Sequence, residues 1–270
     1  QEEGINPIVY ILAKESTISE ACSETSCGYW LNYGYTCNQL INNYGYNCSV
    51  CESDGSCVNP VVIRVFRSDD LGTSFYPIYE TLTSSEGSYD IWTDRYESSP
   101  LFLLDNGSFY SISTDNNEIS FLGNVGPENE GENLLSGGKD NSNNGLFHFH
   151  AMIGSRLYVS QDSGENWEDK GELPSYIFSR NSFSCSYDNK DLVAVGGIDL
   201  YKSLNAGNNW EKVNDWWEYY GDPSTYLHAD IPAVQFLKNN NGTELIYVST
   251  DGGLYDSNNQ LHNVENLSLN

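Results

Sequence analysis

One short pattern recurs along this chain at a nearly constant interval: Ser68-Asp69-Asp70-Leu71-Gly72-Thr73-Ser74-Phe75, then Ser160-Gln161-Asp162-Ser163-Gly164-Glu165-Asn166-Trp167, then Ser203-Leu204-Asn205-Ala206-Gly207-Asn208-Asn209-Trp210. All three read Ser-x-Asp/Asn-x-Gly-x-x-Trp/Phe, and each follows a short strand-like run, at 61–67, 156–159 and 200–202. Eroded copies begin at Ser113, with Asp115, and at Ser257. The starting serines stand 45, 47, 43 and 54 residues apart. A fixed period of this length marks a repeat architecture, and here it matches one four-stranded unit.

The residue types explain themselves chemically. A Ser and an Asp or Asn two residues apart hydrogen-bond the turn's own amides, Gly supplies a positive φ, and the closing aromatic folds back between neighbouring units. The motif is a structural turn, and it resembles the Asp-box of the Asp-box (BNR-repeat) β-propellers, a group with sortilin-like and xyloglucanase-like members and sialidases. That resemblance implies an all-β propeller of four-stranded blades with the box between strands C and D. Ser68, Asp70, Gly72, Phe75, Ser160, Asp162, Gly164, Trp167, Ser203, Asn205, Gly207 and Trp210 are its structural residues, with the three aromatics expected at buried blade edges.

Reading back from each box places about five blades. The run 8–13 is strand B and 61–67 strand C of the first; 101–104 and 108–113 flank an Asn-Gly hairpin signal in the second. Blade three takes 146–153 and 156–160, blade four 182–186, 192–196 and 198–203, and blade five 231–236, 244–249 and 253–257. Residues 1–15 and 60–270 are then propeller, and 16–59 an insertion in the first blade. The register opens at a strand B, so the expectation is a part of a larger propeller or an unusual closure. Alternating strand direction puts C–D and A–B turns on one face, and B–C loops and D–A connections on the other.

Cysteine usage sets the compartment. Six of seven cysteines, Cys22, Cys27, Cys37, Cys48, Cys51 and Cys57, lie within 36 residues, with Cys185 far downstream. A single C-x-x-C without a nearby His fits zinc poorly, so disulfides are expected; six cysteines allow fifteen connectivities, and Cys185 is either free or takes one member. The segment from Cys27 to Cys51, with its Gly-Tyr-x-Cys and Gly-Tyr-Asn-Cys-Ser-x-Cys stretches, is similar to cysteine-rich modules of secreted protist proteins. Sequons at Asn47, Asn106, Asn241 and Asn266 fit the same secretory route to the extracellular space or cell surface.

A formal charge of −26 makes nucleic acid and anionic lipid poor partners, and no apolar run of about eighteen residues marks a membrane helix. Nothing names a cofactor or a metal: His148 and His150 share one side of a strand, but no third ligand is adjacent. A sialidase needs three substrate-clamping arginines, and of Arg64, Arg67, Arg95, Arg156 and Arg180 three lie beside boxes or in strand C. The stretch from His228 through Asp230, with Thr250-Asp251-Gly252-Gly253 after it, is similar to segments of sortilin-like and xyloglucanase-like proteins, and makes Asp251 and Asp230 the candidates for a glycoside hydrolase.

The principal expectation is binding. Trp216, Trp217, Tyr219, Tyr220, Tyr226 and His228 crowd into one connection, and loop aromatics have little core in which to hide. The sequence reads as an extracellular binding or structural propeller whose partners are other proteins, copies of itself or glycans, as in a subunit of an extracellular assembly. The alternative is a polysaccharide-active hydrolase.

Overall fold

The computed structural model describes residues 8–16, 18–33, 35–57, 61–83, 88–97, 99–127, 131–140 and 145–269. The chain divides into two compact units, residues 1–87 and 88–270.

Among its described residues the first unit holds one three-stranded antiparallel sheet, ordered β1 (Val9–Ser16), β2 (Val61–Ser68), β3 (Tyr76–Thr83). Between β1 and β2, which pair from Val9 with Ser68 to Ser16 with Val61, run four short helices: α1 (Glu20–Ser23), α2 (Ser26–Leu31), α3 (Cys37–Tyr44) and α4 (Ser49–Ser53). Helices this short are not stable by propensity alone. Caps start three of them, with Ser19, Thr25 and Thr36 each accepting from an amide of the first turn. Disulfides Cys22–Cys51, Cys27–Cys48 and Cys37–Cys57 then tie the segment around Leu31 and Leu40. The bridges replace the apolar core that forty residues cannot build.

The second unit is four consecutive four-stranded antiparallel sheets. Blade two is β4 (Tyr89–Trp92), β5 (Leu101–Asp105), β6 (Ser108–Ile112) and β7 (Ile119–Asn124). Blade three is β8 (Asn133–Asp140), β9 (Leu146–Ile153), β10 (Arg156–Ser160) and β11 (Glu168–Glu172). Blade four is β12 (Phe183–Cys185), β13 (Val193–Gly196), β14 (Leu200–Ser203) and β15 (Glu211–Lys212). Blade five is β16 (Ala233–Lys238), β17 (Glu244–Thr250), β18 (Gly253–Ser257) and β19 (Glu265–Asn266). The first strands β4, β8, β12 and β16 adjoin one another in order, so each meander radiates outward from a shared inner edge. This is the β-propeller fold. Between blades lie the apolar clusters: one around Phe109 and Phe149, one around Met152, Val193 and Val195, and one around Val234, Val248 and Tyr255.

The Ser-x-Asp/Asn turns show why the period exists. At Ser68, Ser160 and Ser203 the serine Oγ accepts from the glycine amide four residues on, at 2.8, 2.9 and 2.8 Å. The Asp or Asn takes the amide four residues beyond itself, at 2.8, 2.9 and 2.8 Å. Ser257 and Asn259 repeat both bonds, to Leu261 and Asn263, at 3.1 and 3.0 Å. Leu261 stands where the others have Gly and takes φ 60°, and it is buried in the blade-five core. The copy at Ser113 lacks this network; its Oγ accepts only from Asp115 N, at 3.2 Å, and a tighter turn follows.

The closing aromatics divide. Trp167 packs edge-on against Phe109 of blade two at 5.1 Å, and Trp210 against the cluster between blades three and four. Phe75, expected to be buried, is 38% exposed. Among its described residues that unit holds a single sheet, and no second blade within it receives the ring.

Candidate functional site

The connection from blade four to blade five is pinned at both ends and displayed in the middle. Asn214 exchanges hydrogen bonds with Leu227 backbone, at 3.1 Å in each direction, and Leu227 and Ile231 are buried. Lys212 reaches Asp199 and Asp215 at 2.9 and 2.8 Å, which pushes its pKa upward, and Asp199 also takes the Trp216 amide at 3.1 Å. Glu218 accepts the Asp215 amide at 2.9 Å, closing the first turn of a 3-10 helix over Trp216–Tyr220.

Five of the six expected binding residues come together on this frame. Trp216 meets Trp217 and Tyr220 at ring distances of 6.0 and 6.2 Å. Tyr219 meets Tyr220 at 5.5 Å and His228 at 4.7 Å. The Tyr220 hydroxyl and His228 Nε2 are 3.2 Å apart. Trp217 and Tyr220 stay 55% and 69% exposed. The cluster rests on the Thr250–Gly253 turn: a Cβ on Gly252 would lie 2.6 Å from His228 Cβ and 2.7 Å from the Tyr219 ring. Tyr226, in the same connection and exposed, joins no ring pair of the cluster.

Asp251 and Asp230 flank this surface. The Asp251 amide donates to Ala229 O at 3.3 Å and the Asp230 amide to Ile198 O at 3.0 Å, with Asp230 at φ 59°. Both aspartates are tied through their backbone amides, and among the described residues no second group orients either carboxylate as an acid or base. Of the sequons, Asn47 and Asn241 are exposed and Asn106 is half-buried in its turn. Asn266 is a correction: it is buried, its Nδ2 donates to Pro223 O at 2.9 Å, and a glycan there would require opening β19.

A second concavity lies along the inner strands of the second unit and escaped the sequence reading altogether. It encloses about 170 Å³ and draws its walls from β4, β8, β12 and β16. At one end Arg180 bridges blades two and three, donating to Tyr89 O and Glu132 at 2.9 and 2.8 Å. Asp90, 3.6 Å from the same guanidinium, accepts the Leu135 amide at 2.8 Å, and burial raises its pKa. At the other end Tyr187 donates to Asp94 at 2.7 Å, and Tyr96 accepts the Lys238 amide at 2.8 Å. These residues are polar and far apart in sequence, and none belongs to a motif.

No protein-family model and no curated protein matches the sequence. Solved structures do match. A GH74 enzyme from Niastella koreensis is 18% identical, with TM-score 0.48, over 77% of this chain and 29% of its own. A GH74 xyloglucanase from Xanthomonas campestris is 11% identical, with TM-score 0.45, over 76% and 36%. An auxiliary nutrient binding protein from Bacteroides thetaiotaomicron is 12% identical, with TM-score 0.43, over 74% and 51%. This chain thus spans about a third of the length of the two GH74 proteins.

Proposed function

We propose that this is a secreted, extracellular binding propeller that holds another protein, a second copy of itself or a glycan through the aromatic surface of the blade-four to blade-five connection. The exposure of Trp217 and Tyr220 on a pinned backbone carries the reading. Large rings that bury little in the free protein, yet need no reordering to meet a partner, have the character of binding hot spots. Three disulfides in the first unit favour an oxidising compartment. The acidic surface argues against anionic partners. Asn47 and Asn241 are the sequons open to glycosylation there.

Replacing Trp217 and Tyr220 together by Ala tests it. Retention on extracellular matrix and on glycan surfaces, and self-association by sedimentation, should weaken at least tenfold, about 1.4 kcal/mol, with the far-ultraviolet spectrum unchanged. Undiminished binding in all three assays would overturn the proposal.

A further inference from the structure

The helical segment of the first unit carries more aromatic surface than its core uses. Its interior is built of cystines with Leu31 and Leu40, whereas Tyr29, Tyr33 and Tyr44 are 52%, 65% and 60% exposed. These rings form a continuous strip. Tyr33 meets Tyr29 at 5.2 Å, Tyr29 meets Trp30 at 5.2 Å, Trp30 meets Tyr35 at 5.5 Å, and Tyr35 meets Tyr44 at 5.8 Å. At one end Trp30, Tyr35, Tyr44 and Tyr46 wall a small apolar pocket of about 70 Å³ floored by Leu40. The backbone beneath is held by the cystines and the Thr36–Gln39 capping box, so the rings are displayed rigidly.

We propose that this strip binds an uncharged polysaccharide, its tyrosines stacking on successive sugar rings. Charge and hydrogen-bonding capacity select that occupant. No Lys or Arg stands between Lys14 and Arg64, so the helical segment itself offers an anionic ligand no counter-charge. The acidic groups Glu20, Glu24, Glu52 and Asp54 stand outside the strip's ring contacts, and Asp54 is engaged with Ser19 and Ser56. What the helix beside the pocket offers instead is neutral amides: Asn38, Asn42 and Asn43 are exposed. The Trp30 indole N–H is already given to Tyr46 OH at 2.8 Å. Phenol hydroxyls and amides at the edges of flat rings pair with sugar hydroxyls, while the ring faces cover the apolar face of the pyranose.

The test uses the whole chain with four insoluble probes, microcrystalline cellulose, chitin, curdlan and mannan, and measures depletion from solution. Retention on at least one is expected. It should fall about tenfold in Tyr33→Ala and in Tyr44→Ala, stay near wild type in Tyr33→Phe, which keeps the ring, and survive the Trp217→Ala/Tyr220→Ala change. Mass spectrometry confirming three disulfides establishes that each variant is folded in this unit. Retention on none of the probes overturns the inference, as does retention indifferent to Tyr33 and Tyr44. Retention lost only in the Trp217→Ala/Tyr220→Ala protein also overturns it, while supporting the surface between blades four and five. Saturable binding of a deca-proline peptide, abolished by Tyr44→Ala in a protein that ignores the polysaccharides, would reassign the groove to peptides.

Discussion

The phenol of Tyr187 donates a 2.7 Å hydrogen bond to Oδ2 of Asp94, joining the loop after the inner strand of blade four to that of blade two and skipping the blade between them. Asp94 Oδ1 meanwhile takes the amides of Tyr96 and Glu97 at 2.8 and 3.2 Å. The Tyr187 ring lies edge-on to Tyr96 at 4.8 Å and 4.2 Å from Lys238 Nζ. Three blades thus share one small network, and burial together with Asp94 raises the Tyr187 pKa.

Tyr187→Phe keeps the ring contacts and removes only the hydroxyl. It should leave a buried carboxylate oxygen without its donor and cost about 1–3 kcal/mol, read as a lowered urea midpoint at constant slope. An unchanged midpoint would show that the network does not hold the inner loops together.

Two glycines with nearly the same backbone separate strain from packing. Gly164 and Gly171 have φ 91° and 90°. A Cβ on Gly164 would sit 2.3 Å from Phe109 Cε1, whereas one on Gly171 meets nothing within 4 Å. Gly171→Ala should cost about 1–2 kcal/mol, the price of a left-handed conformation. Gly164→Ala should cost that plus about 1–3 kcal/mol for displacing a fully buried ring. Thermal unfolding of the pair decides, and equal losses would show that the blade interface yields freely.

Cys185 is the one free thiol among the described cysteines, and burial pushes its pKa up to about 12. A thiol reagent that needs the thiolate should therefore titrate none in the native protein and one after denaturation without reductant. Three or more after denaturation would mean that the bridges of the helical segment are not formed.

What the sequence discloses and what it hides follow from range. The turns at Ser68, Ser160 and Ser203 are legible because each is satisfied by its own eight residues. The copy at Ser257 looks eroded because Leu261 replaces Gly, and only the fold shows the compensation. Leu261 is buried in the core, and the buried Lys202 of blade four donates to the carbonyls of Gln260 and Leu261 at 3.2 and 3.1 Å. The aromatic connection is legible through composition, since five rings cannot all hide in a loop. The Tyr187–Asp94 and Arg180 contacts are illegible, because they link positions 93 and 91 residues apart through no pattern.

His150 makes the stability of blade three depend on pH. It is fully buried on the face of β9 turned to blade four, and neither ring nitrogen has a hydrogen-bonding partner among the described residues. Burial, then His148 and Lys170, hold its pKa well below 6.5. The folded protein therefore keeps the ring neutral where the unfolded chain takes up a proton. For such a group the stability is fully present above the unfolded pKa of about 6.5 and declines as pH falls below it, by at most about 1.4 kcal/mol per pH unit. Asp90 and Glu244, whose pKa values are raised by burial, act in the opposite sense at lower pH, so the comparison must be with a variant that retains them. In His150→Leu the decline between pH 6.5 and 5 should be shallower than in wild type by that amount, measured by urea unfolding across the range. Parallel curves would mean that the imidazole is solvated or partnered in solution, and the buried unpaired ring would then not be the native arrangement.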